Sequence, residues 1–165
     1  MINIKAGEFQ LETHDLVIGP DLLASTFKAS AIPILSTQES NGWKTFFFNA
    51  AIEGMLAEFV VCFRREMLHI LGWVPQSGEA GQEWGTVSSE EQKRFLDAWL
   101  SKYVGPSPYV RPWGEISADR DIKTGDYGIV VLYRREILAR ADTRDGARPT
   151  ACCCFPDAEG QASAD

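Results

Sequence analysis

The chain is short of the residues that announce the commoner chemistries. Histidine occurs only twice, as His14 and His69, and cysteine four times. Three of the cysteines, Cys152, Cys153 and Cys154, are consecutive. A disulfide framework staples separate elements with spaced cysteines, and zinc ligands are usually two or more residues apart, so neither pattern is met. Cys62 stands in an apolar run and reads as a small packed hydrophobe. No metal and no cofactor are expected. No apolar run approaches the roughly 18 residues of a membrane-spanning helix. The N-terminal MINIKAGEFQLETHD carries early charge where a leader would have an apolar core. The cytoplasm is therefore the expected compartment. Basic residues are also in deficit, 16 Lys and Arg against 23 Asp and Glu, and no basic run exceeds two residues. A net charge of −7 makes nucleic acid an unexpected partner.

Catalytic motifs are missing as well. Neither G-x-G-x-x-G nor G-x-x-x-x-G-K-[ST] occurs, and Gly78, Gly81 and Gly85 lie among Glu79 and Glu83, whose charge opposes phosphate. There is no G-x-S-x-G. Cys62 and His69 fall on neighbouring β-runs, where a nucleophile and base could meet, but both sit in apolar surroundings typical of structural residues. The stretch Asp119 to Asp126 resembles a calcium loop superficially; Lys123 takes the fifth ligand position and Val130 the twelfth. The pair Glu90-Glu91 is accounted for by the first turn of a helix, where negative charge complements the dipole. No acid, base and stabiliser assemble, so no catalytic residue is assigned.

What is present is the make-up of a folded domain: 165 residues, 45% of them hydrophobic. Ile2, Ile4, Phe9 and Leu11 suggest two short strands bent at Ala6-Gly7. Gly19-Pro20-Asp21 is expected to open a short helix, with Pro20 in its first turn and a buried stripe of Leu22, Leu23, Thr26 and Phe27. Trp43 to Ile52, Met55 to Arg64 and Met67 to Val74 are three β-rich runs joined by Glu53-Gly54 and Arg65-Glu66. Connections so short permit only antiparallel pairing, a β-meander. Phe46, Phe48, Ala50 and Ile52 alternate with Thr45, Phe47, Asn49 and Ala51, so apolar residues reach both faces and part of the sheet should be covered on both.

Pro75 to Gly85 reads as a polar loop. A helix then spans 89–104, opened by the capping box Ser88-x-x-Glu91 and closed by Gly105-Pro106. Phe95, Leu96, Trp99, Leu100, Tyr103 and Val104 make its apolar stripe. Residues 109–117 and 127–135 read as a last pair of strands. The expected architecture is α+β: an antiparallel meander sheet of five to seven strands with two helices, the longer packed on one face. The folded unit should span 1–139. Residues 140–165, poor in apolar side chains, should form a disordered tail.

Two features point towards binding. Five tryptophans are many for this length, and Trp84 and Trp113 lie in or beside Gly/Pro-containing loops, where they cap the core or anchor an interface. Glu66, Glu79, Glu83, Glu90, Glu91 and Asp97 face only Lys93 and Arg94 over the same stretch. Glu79, Glu83, Trp84, Glu90 and Trp113 are thus the candidate partner-binding residues, suited to a basic protein.

Trp113-Gly114-Glu115-Ile116, then Asp121-x-Lys123-x-Gly125 and Ile129-x-x-x-Tyr133, together with the helix Phe95 to Leu100, resemble small bacterial proteins over about residues 85–135. In size and layout the chain is similar to immunity proteins of interbacterial antagonism. That resemblance implies a non-enzymatic inhibitor of a basic protein toxin. Two other functions fit the residues: a small-ligand carrier or enzyme with a pocket lined by Phe46, Phe48 and Tyr133, and an assembly factor forming a homodimer through a sheet edge.

Overall fold

The computed structural model describes residues 1–134 apart from 13, 15, 108, 122 and 123. The expected tail with Cys152, Cys153 and Cys154, and the boundary at 139, lie outside the described residues. The fold is α+β, as the pattern predicts. Strands β1 (Ile2–Asn3), β2 (Glu8–Gln10) and β3 (Val17–Ile18) make a small antiparallel sheet. Helix α1 (Ala24–Ala29) leads to β4 (Ile34–Ser40), β5 (Trp43–Ile52), β6 (Met55–Arg64) and β7 (Met67–Pro75). A 3₁₀ turn at Trp84–Thr86 precedes α2 (Ser89–Tyr103), and β8 (Val110–Arg111), β9 (Gly114–Arg120) and β10 (Tyr127–Tyr133) follow. The large sheet has seven strands in the order β4-β5-β6-β7-β10-β9-β8, antiparallel throughout. No helix among the described residues is long and apolar enough to cross a membrane.

The meander forms because its turns are two residues long and adopt the left-handed conformation that matches strand twist. Glu53 and Gly54 have φ of 49° and 76°, Arg65 and Glu66 of 49° and 68°. Asn41-Gly42, with φ of 51° and 78°, is a third such turn and adds β4, a strand the apolar pattern does not announce because its residues are mostly exposed.

Three sequence expectations are corrected. Helix α1 begins after Leu23, not at Pro20: Leu22 N–H bonds to the Gly19 carbonyl at 3.1 Å in a turn, and Leu23 bridges Met67. That bridge holds the backbone extended, so Leu23 and Thr26 are exposed while Leu22 and Phe27 are buried. The run 109–117 divides into β8 and β9. Finally, α2 lies chiefly over β9 and β10, reaching the meander through the edge-to-face contact of Trp99 with Trp73, centroids 5.7 Å apart.

Both helices and the small sheet share one core. Phe27 meets Phe46, Phe48 and Phe63; Phe48 stacks on Phe59 at 5.3 Å, and Phe59 on Trp73 at 5.5 Å. Leu96, Trp99, Leu100 and Val104 of α2 and Phe9, Leu11 and Ile18 of the small sheet complete it. Phe46, Phe48 and Tyr133, expected as possible pocket lining, are all buried in this core, and the Tyr133 hydroxyl donates to the Gly7 carbonyl at 3.1 Å. Burial pushes that hydroxyl's pKa up, keeping it a neutral donor.

Candidate partner-binding surface

The loop between β7 and α2 is a built structure. Gln76 N–H bonds to the Leu56 carbonyl at 3.0 Å, Ser77 bridges Glu83, and Gly78 N–H reaches the Gln82 carbonyl at 2.9 Å. The result is a miniature hairpin whose tip turns at Gly81, with φ of 76°. Glu79 stands exposed near that tip and Glu83 exposed at its base.

Trp84 holds the base down. The ring is 3% exposed and meets Phe95 of α2 edge to face, centroids 5.5 Å apart. Its Nε1–H donates to the Tyr127 carbonyl at 3.0 Å, and its backbone carbonyl accepts from Gln92 Nε2 at 2.8 Å. Gln92 Nε2 also donates to Asp126 at 3.0 Å, while Gln92 Oε1 accepts the Tyr127 N–H at 2.9 Å. A buried amide with its donors and acceptor all used fixes three segments at once: the loop, α2 and the start of β10. Gln92 falls one turn before Leu96 and two before Trp99, in line with the apolar stripe of α2, and these hydrogen bonds satisfy its polar side chain there.

Glu90 and Glu91 lie in the first turn of α2. The Ser88 hydroxyl accepts the Glu91 N–H at 3.4 Å and donates to Glu91 Oε2 at 2.7 Å. These Ser88 hydrogen bonds lower the Glu91 pKa. The capping box is therefore closed through the hydroxyl.

The structure separates the acidic residues that the sequence groups together. Glu66 sits in the turn before β7, a nine-residue strand away, where it pairs with Lys44 at 2.5 Å and accepts the Ser25 N–H at 3.1 Å. Asp97 pairs with Lys93 at 2.7 Å, one helical turn back. Glu91 is engaged by Ser88. Among the described residues, Glu79, Glu83 and Glu90 make no ion pair, and all three are exposed around the anchored loop. At Glu90 a shallow open depression of about 380 Å³ is lined by Ser89, Glu90, Lys93, Arg94, Asp97 and Tyr127.

The tryptophans are placed otherwise than an interface would need. Trp84 is the loop's internal anchor. Trp113, 9% exposed, lies in the same core at the other end of β10, between Phe9 and Tyr133, and its Nε1–H donates to the Ile4 carbonyl at 2.8 Å. Neither indole is presented to a partner, and Trp113 does not join the acidic loop. Cys62 is buried and receives the Thr45 hydroxyl at 3.6 Å; the His69 ring lies against Trp43, centroids 5.5 Å apart. Ile70, not His69, is the register partner of Cys62, because a bulge shifts the pairing.

At the sheet edge, β4 is bulged between Ile34 and Ser36 and ends in exposed Gln38, Glu39 and Ser40. Bulges and edge charges of this kind oppose edge-to-edge association. Comparison of the chain with protein-family models, with curated proteins and with solved structures finds no match in any of the three.

Proposed function

We propose that the protein is a non-enzymatic binding protein whose anchored acidic loop engages a basic protein partner. The observation that carries this reading is the set Glu79, Glu83 and Glu90, exposed and without an ion pair among the described residues, on the loop and the first turn of α2 that Trp84 and Gln92 hold together. A carboxylate cluster held on a rigid base speeds encounter with a cationic surface and loses little ordering entropy on contact. The binding energy comes from charge and loop shape, since the tryptophans are withdrawn into the core.

The finer proposal follows from the resemblance: an immunity-type inhibitor acting in the cytoplasm against a basic bacterial toxin. Such an inhibitor needs to cover or occlude a cationic site and needs no chemistry of its own. Its test is growth protection. The product of the gene adjacent to this one is expressed in a bacterial host with and without this protein. Restored growth with the unaltered chain, and loss of that protection with E79K/E83K/E90K at equal expression, is the expected result. An adjacent product that is harmless, or protection that survives charge reversal, would overturn the proposal.

A further inference from the structure

The turns Asn41-Gly42, Glu53-Gly54 and Arg65-Glu66 join β4 to β7, and the third is made of residues that do not suit its shape. All of these central residues have positive φ, a conformation that favours glycine and asparagine. The first two turns place glycine second. Arg65-Glu66 has neither glycine nor asparagine, although its φ values are 49° and 68°. Side chains in that region strain the backbone, and such strain persists only where surrounding contacts fix it.

The contacts that fix this turn run to the start of α1. Leu68 N–H donates to the Leu22 carbonyl at 3.3 Å, Leu23 bridges Met67, and Ala24 N–H donates to the Glu66 carbonyl at 2.9 Å. Glu66 Oε2 then accepts the Ser25 N–H at 3.1 Å, while Oε1 pairs with Lys44 of β5 at 2.5 Å. Helix α1 is six residues long, and Leu23, in its N-cap position, has no polar side chain; its first turn holds no carboxylate. Glu66 therefore supplies, from the turn, the cap that α1 lacks. Glycine at this position would relax the backbone and take that cap away. The helix in turn covers the aromatic cluster: Phe27 is fully buried against Phe46, Phe48 and Phe63, while Leu23, Ser25, Thr26 and Lys28 face outward.

We propose that α1 is a lid over Phe46, Phe48 and Phe63, and that the strained Arg65-Glu66 turn is its latch. The lid opens as a unit while the sheet stays folded, and the Glu66 carboxylate sets how often. The strain is retained because relieving it would unlatch the helix.

Native-state hydrogen exchange of the full-length chain, read amide by amide with nuclear magnetic resonance, tests this. In the parent, Phe27 and Ser30 should exchange faster than Val61 in β6 and Leu71 in β7, with little dependence on low concentrations of urea. Glu66→Gly should accelerate Phe27 and Ser30 roughly tenfold, but Val61 and Leu71 by less than about threefold. The difference arises because relief of the turn offsets the lost cap in global unfolding and not in lid opening. Glu66→Gln keeps the strained turn and loses the charge, and should accelerate the α1 amides about threefold. Should Glu66→Gly not fold, the parent and Glu66→Gln decide. Helix amides that share the rate and urea dependence of the sheet in the parent, or that accelerate equally with the sheet in Glu66→Gly, would overturn the proposal. Phe27 and Ser30 rates unchanged in either variant would overturn it too.

Discussion

Gln92 and Tyr127 are 35 residues apart and joined by a hydrogen bond of 2.9 Å from the Tyr127 backbone N–H to the Gln92 side-chain oxygen. The same amide donates to Trp84 and Asp126, so one buried side chain sets the position of the acidic loop relative to the sheet. Replacing Gln92 by Ala strands the Trp84 carbonyl and the Tyr127 N–H away from water. Stability should fall by about 2–4 kcal/mol, and the amides of the loop and of Tyr127 should exchange hydrogen faster. Urea denaturation and hydrogen exchange measure both. A loss under about 0.5 kcal/mol, within the range of surface substitutions, would contradict the assignment.

Trp99 is 7% exposed and joins α2 to Trp73. Trp99→Ala should lower stability by about 3–5 kcal/mol through lost burial and the cavity left behind. Exposed Ser101→Ala, on the opposite face of the same helix, should change it by no more than about 0.5 kcal/mol. Equal effects of the two in thermal or urea unfolding would mean that the stripe does not carry the packing.

The regular parts of this fold are readable from pattern because they obey a single period. The three meander strands and α2 show alternation, a capping box and two-residue turns, and each lies within a residue or so of its expected span. Strand β4 escapes because an exposed edge strand needs no apolar alternation; its signal is the Asn41-Gly42 turn that follows it. The start of α1 escapes because tertiary pairing of Leu23 with Met67 overrides a local proline preference. In the candidate site, Glu79, Glu83 and Glu90 are legible as exposed carboxylates. The burial of Trp84 and Trp113 is not, since it depends on Tyr127 and Ile4, backbone partners remote in sequence.

Trp113 closes over the turn between β1 and β2, and Gly7 makes the contact possible. Gly7 has φ of 71°, and a Cβ there would stand 2.5 Å from the Trp113 ring. Gly7→Ala combines a left-handed backbone with overpacking and should cost about 2–4 kcal/mol. Urea midpoints decide the matter: an unchanged midpoint would show that the small sheet is not clamped by Trp113.

Two carboxylates should give the stability opposite dependences on pH. Hydrogen bonds from Ser88 lower the pKa of Glu91 from its ordinary 4.5, so its contribution is full above that value and disappears as pH falls through the lowered one. Burial raises the pKa of Glu58 above 4.5, so the folded state there holds the proton more tightly, and stability declines as pH rises through the window. Glu58→Gln should therefore stabilise the protein at pH 7 relative to its effect at pH 4. Ser88→Ala should cost about 1 kcal/mol at pH 7 and less in acid. Unfolding curves at the two pH values check both signs.

The affinity of the full-length protein for the adjacent gene product, measured by titration calorimetry with E79Q/E83Q/E90Q alongside, tests the acidic-loop assignment most directly. Neutralising three exposed charges should weaken binding by roughly tenfold at moderate ionic strength and by less in high salt. The fold should be intact, because Trp84 and Gln92 are untouched. Equal affinity for both proteins, with no dependence on salt, would contradict the claim that this loop is where the partner binds.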